Sequence, residues 1–184
     1  MEEAGHGLRT PLEGIAARPL VPGQAIAAPL RLITPTVARD WVDYNGHMSE
    51  SCFLLVFGDQ SDAFFRLIGI DEAYRAGGHS LFTVQTMIFN LAEAHLGDRL
   101  DLSLQLLDAD EKRLHIFHAM HNVETGMLLA TGEQMLVHVD MAAGRSTPLP
   151  PEVDARVHAV LAAHADLPRP AQAGRNIAIK RNPA

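Results

Sequence analysis

The segment that most restricts the fold of this chain is an apolar helix that cannot sit on a surface. Phe53, Leu54, Val56, Phe57, Phe64, Phe65, Leu67 and Ile68 fall on nearly every side of it. Ser49 or Ser51 can cap its start, and Gly69 stands where a helix commonly stops. A helix apolar almost all round has to be enclosed by other elements. Those elements read as strands. Leu100-Asp101-Leu102-Ser103-Leu104-Gln105-Leu106 alternates strictly, as a strand with one buried face does. Residues 81–91, 114–121 and 127–139 are further strand candidates. Leu30 to Val37 is another, with Pro35 marking an edge position or a bulge. The joints Gly97-Asp98, Asp108 to Lys112 and Glu124-Thr125-Gly126 suit antiparallel neighbours. The fold class is therefore α+β: about five antiparallel strands wrapped around one long buried helix.

Pro148, Pro150 and Pro151 close that block. Glu152 to His164 then reads as a C-terminal helix, with Pro151 at its start and a stripe of Val153, Val157, Val160 and Leu161. The expected organisation is an irregular N-terminal arm over 1–28, one domain with its C-terminal helix over 29–165, and a mobile tail over 166–184. The net charge of −7 argues against a nucleic-acid partner. The single cysteine, Cys52, excludes an internal disulfide and any multi-cysteine metal site. The apolar runs Phe53 to Phe57 and Met127 to Ala130 are too short for a membrane span. The first residues lack the apolar stretch of a secretory signal, so a cytoplasmic location is expected.

Between the first strand candidate and the helix lies Asp43-Tyr44-Asn45-Gly46-His47-Met48. Asp-x-Asn-Gly is good turn chemistry, and Asp43 taken alone reads as a turn residue or a helix-flanking cap. The order strand, D-x-x-G turn, buried helix, antiparallel sheet resembles the hotdog fold of the 4-hydroxybenzoyl-CoA thioesterase family. His47-Met48 is similar to that family's continuation of the turn, and Leu91 to Asp98 to its strand-then-Gly-Asp junction. The Pro often found upstream of that junction is absent here. The resemblance spans about Leu30 to Asp140.

A narrower resemblance is to a bacterial subgroup tied to carnitine breakdown. It is carried by Trp41 to Met48, Thr83 to Thr86, Arg113 to His118, Ala130 to Met135, and the Leu167-Pro168-Arg169-Pro170 tail with Gly174-Arg175. It implies hydrolysis of a small acyl-CoA, betainyl-CoA, to glycine betaine and coenzyme A. No cofactor is implied, since coenzyme A is part of the substrate. A homodimer or homotetramer is implied, with sites at the subunit interface.

The family match turns Asp43 into the expected catalytic carboxylate, as general base or as nucleophile. Amides near Ser49 to Ser51, at the positive end of the helix, would hold the oxyanion. Gly46 would let the backbone approach the acyl group, and Met48 would border it. Asn45 holds the turn. His47 either hydrogen-bonds substrate or Asp43, or packs beside the helix. Glu50 is the second carboxylate candidate; Asp59 and Asp62 face a polar seam or a partner. Thr83 and Gln85 lie on the strand that borders the site across the dimer. Trp41 and Tyr44 flank Asp43 and could hold a trimethylammonium by their faces, or simply pack at a strand end. Phe82 and Phe89 could approach from the sheet. Arg99, Lys112 and Arg113 are the cations offered to the phosphates. His115, His118 and His121 alternate faces on a strand, so no metal site is expected there.

A thioesterase of the same fold that cuts another short or aryl acyl-CoA stays open, and so do two readings of a different kind. One is a hydratase of the same fold, whose D-x-N-P-x-H turn this chain matches in Asp43, Asn45 and His47 but without Pro and with His one residue closer. The other is a module that binds acyl-CoA without turning it over.

Overall fold

A computed structural model describes residues 19–179. Most of the expected N-terminal arm and the last residues of the expected tail lie outside that range. Helix α1 (Glu50–Ile68) is followed by a short helix α2 (Glu72–Ala76). Four long strands follow: β1 (His79–Asn90), β2 (Leu100–Ala109), β3 (Arg113–Asn122) and β4 (Leu128–Asp140). A two-residue strand β5 (Arg145–Ser146) and helix α3 (Pro151–Ala163) complete the chain. The strands run antiparallel in the order β1-β4-β3-β2, with β5 pairing to the end of β4. The sheet packs along α1 and buries Phe53, Val56, Phe57, Phe64, Phe65 and Ile68, while Leu54, expected inside, is 43% exposed.

Leu30 to Val37 differs from its reading as a strand. It makes two isolated bridges, Leu30 to Leu104 in β2 and Thr36 to Arg99 just before β2, with irregular backbone between. Pro35 has no N–H to donate, and its carbonyl takes the Leu100 amide at 2.8 Å. The fifth strand is instead β5, too short to show any alternation. Helix α2, also unforeseen, is capped by Asp71, whose side chain accepts the Tyr74 amide.

Gly69 ends α1 in the left-handed conformation, at φ 98°. Ser49 holds the N-cap position without a side-chain cap bond; its hydroxyl lies 3.1 Å from that of Ser51. Pro151 opens α3, and Val153, Val157 and Val160 are its buried stripe.

The core has two lobes. One gathers Phe64, Ile68, Leu104, Leu106, Ile116, Val153 and Val157 under α3. The other gathers Met48, Phe53, Val56, Phe57, Leu100, Leu102, Met120 and Ala130 under the start of α1. Polar groups also lie inside. Ser61 Oγ is 2.9 Å from Gln134 Oε1 and 3.2 Å from His118 Nε2. Burial pushes the fully enclosed His118 imidazole down to about 4, against a weaker opposite pull from Gln134. It is neutral at neutral pH and serves as a packed polar link, not a ligand. His115 sits on the other face and bonds Glu133 at 2.6 Å, so the strand's alternation separates these histidines as expected.

Candidate active site

The turn before α1 is a tight hairpin. The Asp43 carbonyl accepts the Gly46 amide at 3.1 Å, the Asp43 amide donates to the His47 carbonyl, and Val42 bridges Met48. Gly46 has φ 84°, a conformation a residue with a Cβ rarely takes. Asp43 Oδ1 accepts the Asn45 amide at 2.8 Å, which orients the carboxylate. Asn45 thus acts in the turn through its backbone. The hairpin is pinned to the junction after β1 by the Met48 amide on the Ala94 carbonyl at 2.8 Å.

These constraints bring two distant segments to one cleft of about 330 Å3. Asp43, His47, Met48, Glu50 and Phe53 form one wall, and Asn90, Leu91, Ala92 and Glu93 the other. His47 Nε2 is 3.2 Å from Glu93 Oε2. Asn90, Leu91, Ala92 and Glu93 line this candidate cleft and were not among the site residues expected from the sequence. The signal was present in the Leu91 to Asp98 junction, which was read only as a mark of the fold.

The hydrogen bonds narrow the amides that remain open at the start of α1. The Ser49 amide is spent on the Trp41 carbonyl at 2.8 Å, and the Cys52 amide on the Ser49 carbonyl at 2.9 Å. The amides of Glu50 and Ser51 have no acceptor among the described residues. They are unbonded donors at the positive end of a 19-residue helix, and Glu50 lines the same cleft as Asp43.

The other predicted positions are elsewhere. Tyr44 is 96% exposed and lines no part of the cleft, and Trp41 packs against the core lobe behind it. Thr83 and Gln85 lie on the exposed stretch of β1, with Phe82. Asp59 is buried, and burial together with neighbouring Asp62 raises its carboxyl to about 6. Asp62 lies 3.9 Å from Arg66. Arg113 is held by Asp110 at 2.7 Å and Lys112 by Glu111 at 3.4 Å. Arg99 lines a second cleft with Arg31 and His121.

A hairpin carboxylate and the unbonded first turn of a helix packed on an antiparallel sheet are an arrangement suited to acyl transfer in a hotdog fold. The family model described as "Thioesterase-like superfamily" matches residues 37–157, and the chain belongs to that family. Among curated relatives, the Betainyl-CoA thioesterase of Pseudomonas aeruginosa is 46% identical over 144 residues, covering 78% of this chain and 91% of that one. The L-carnitine dehydrogenase/betainyl-CoA thioesterase of Rhizobium meliloti is 49% identical over 155 residues, 84% of this chain. This chain matches only 31% of the length of that fused relative. A putative thioesterase structure from Pseudomonas putida shares 32% identity at a TM-score of 0.73, covering 84% of this chain and 99% of that one. A Staphylococcus aureus protein solved in complex with CoA shares 26% identity at a TM-score of 0.78, covering 85% of this chain and all of that one.

Proposed function

We propose that this chain hydrolyses betainyl-CoA to glycine betaine and coenzyme A, as a step of carnitine breakdown in the cytoplasm. The observation that carries hydrolysis is one cleft lined by Asp43 and by Glu50, the first residue of α1, whose amide and that of Ser51 are unbonded. Water adds to the thioester carbonyl, with Asp43 taking its proton or attacking first itself. The two amides receive the negative charge that forms on the carbonyl oxygen, and the thiolate of coenzyme A leaves. The relatives' names support the acyl group, and the cleft supports it independently. Asp43, Glu50 and Glu93 give its walls three carboxylates. A fixed trimethylammonium is favoured in such a field, whereas a neutral acyl group gains nothing from it.

A panel of acyl-CoA thioesters, read by free-thiol release, tests both parts. It should contain betainyl-CoA and its uncharged isostere 3,3-dimethylbutanoyl-CoA. Betainyl-CoA is expected to win in kcat/KM by at least about tenfold, the worth of one partly exposed ionic contact. Equal rates for the isostere would remove the charge argument and leave thioester hydrolysis standing. Crotonyl-CoA hydration without thiol release would overturn the hydrolase reading.

The same proposal includes a homodimer. Strand β1 is a sheet edge, and it exposes Phe82 and Val84 at 50% and 60%. A long apolar edge invites pairing with another chain. A second copy there would bring Thr83 and Gln85 towards a neighbouring cleft. Sedimentation should show a dimer at micromolar concentration and dissociation on Val84→Asp. A wild-type monomer would refute the assembly.

A further inference from the structure

We propose that His47, Glu93 and His95 form a binding site for a divalent transition ion of the zinc class at the mouth of the cleft. Among the described residues they are the group of three metal-ligating side chains whose donor atoms all lie within 4.8 Å of one another. Glu93 Oε2 stands 3.2 Å from His47 Nε2 and 4.0 Å from His95 Nε2. Donors around one tetrahedral zinc, each at about 2.0–2.2 Å from it, are about 3.3–3.5 Å apart. Side-chain rotations of less than about an ångström therefore close this set on an ion.

The backbone that carries these groups is already fixed. The Met48 amide on the Ala94 carbonyl holds the hairpin with His47 against the segment with Glu93 and His95. The two imidazoles meet edge to face, with centroids 5.3 Å apart and planes at 88°. That is close enough for both rings to turn a nitrogen to a shared ion.

The surroundings of His95 also suit a ligand. Its backbone amide bonds Asp98 Oδ2 at 2.8 Å, and its ring Nδ1 lies 3.8 Å from that same oxygen. A carboxylate on the Nδ1 side is the kind of neighbour that, once it accepts the Nδ1 proton, leaves Nε2 bare for a metal. Nε2 is the atom that faces Glu93. Two imidazoles and one carboxylate favour zinc, nickel or copper over magnesium or calcium, which prefer all-oxygen shells. Three protein ligands leave one coordination position open.

As a plain ion pair, His47 and Glu93 would be worth little, since their side chains are 34% and 64% exposed. A bound ion gives the trio a consequence. His47 and Glu93 line the substrate cleft, while His95 stands outside it. An ion held there withdraws one of the three carboxylates from the cleft and brings positive charge to it. It opposes entry of a cationic acyl group, so the ion is an inhibitor of hydrolysis. That consequence rests on the proposed substrate; the binding does not.

The test uses the full-length, untagged chain stripped of metal, titrated with zinc in competition with a chromophoric chelator. One site per chain with micromolar or tighter affinity is expected. Cobalt(II) should show the visible absorption of a tetrahedral ion bound by nitrogen and oxygen. His95→Ala should weaken zinc by at least about tenfold and keep metal-free turnover unchanged. His158→Ala, on the surface of α3, should bind as the wild type does. Equal zinc affinity in wild type and His95→Ala, or affinity no better than millimolar, would overturn the site. Zinc inhibition that persists in His95→Ala would overturn its link to the cleft. Failure of betainyl-CoA as substrate would leave the chelator titration unaffected, so the two readings fail separately.

Discussion

Replacing Asp43 by Asn should lower kcat for thioester hydrolysis by about a thousandfold, within the range of 100- to 10,000-fold that a positioned acid or base supplies. Asn is the informative choice because of the turn. The Asp43 side chain accepts the Asn45 amide at 2.8 Å, and an amide oxygen can accept that bond as well. The hairpin, the φ 84° of Gly46 and the seating of α1 should then survive. Thermal unfolding and circular dichroism should match the wild type, and KM should change little. Asp43→Ala should lose the rate too, and in addition about 1 kcal/mol of stability for the missing turn bond. Thiol release by Asp43→Asn within tenfold of wild type would move catalysis to another group. Glu50 and Glu93 would be the next carboxylates to replace, since both line the same cleft.

The divide between what the sequence shows and what it conceals follows the physics of each element. Alternation from Leu100 to Leu106 could only be a half-buried strand, and those four leucines are fully or almost fully buried. The apolar residues of α1 required burial on most sides, though Leu54 and Leu55 stay exposed at its start, and Asn45-Gly46 required a turn. These signals are local, so they are legible. Leu30 to Val37 misled because apolar spacing says nothing of missing donors, and Pro35 breaks the ladder. The cleft was half legible. Its first wall is one continuous motif, Asp43 to Phe53. Its second wall, Asn90 to Glu93, is set against the first by a backbone bond from Met48 to Ala94 that leaves no mark on side-chain identity. Likewise, narrowing the candidate oxyanion donors to Glu50 and Ser51 needed the knowledge that the Trp41 carbonyl occupies the Ser49 amide. Tyr44 was attractive by adjacency alone, but the outermost residue of a tight turn points into solvent.

Gly132 is the position where that hidden geometry should have its largest effect on stability. It lies within β4, paired with Ile88 on one side and His118 on the other. A Cβ added there would stand 2.8 Å from Phe57 Cδ2 and 3.0 Å from Cε2. The glycine is therefore present for space, to let α1 lie close on the sheet. Phe57 is fully buried and stacked on His118 with ring centroids 5.2 Å apart, so it has little room to retreat. Gly132→Ala should cost about 2 kcal/mol, in the usual range for overpacking, and Gly132→Val roughly 3 kcal/mol or more. At about 2–4 °C per kcal/mol for a chain of this size, the valine variant should melt roughly 10 °C lower. Activity should fall with stability in Gly132→Val even below its melting point, because tilting α1 moves the Glu50 and Ser51 amides away from Asp43. Phe57→Leu supplies the control. Alone it leaves a void and destabilises, but combined with Gly132→Ala it should cost less than the sum of the two single changes. Strict additivity in that cycle would mean that Gly132 is constrained by something other than the Phe57 ring.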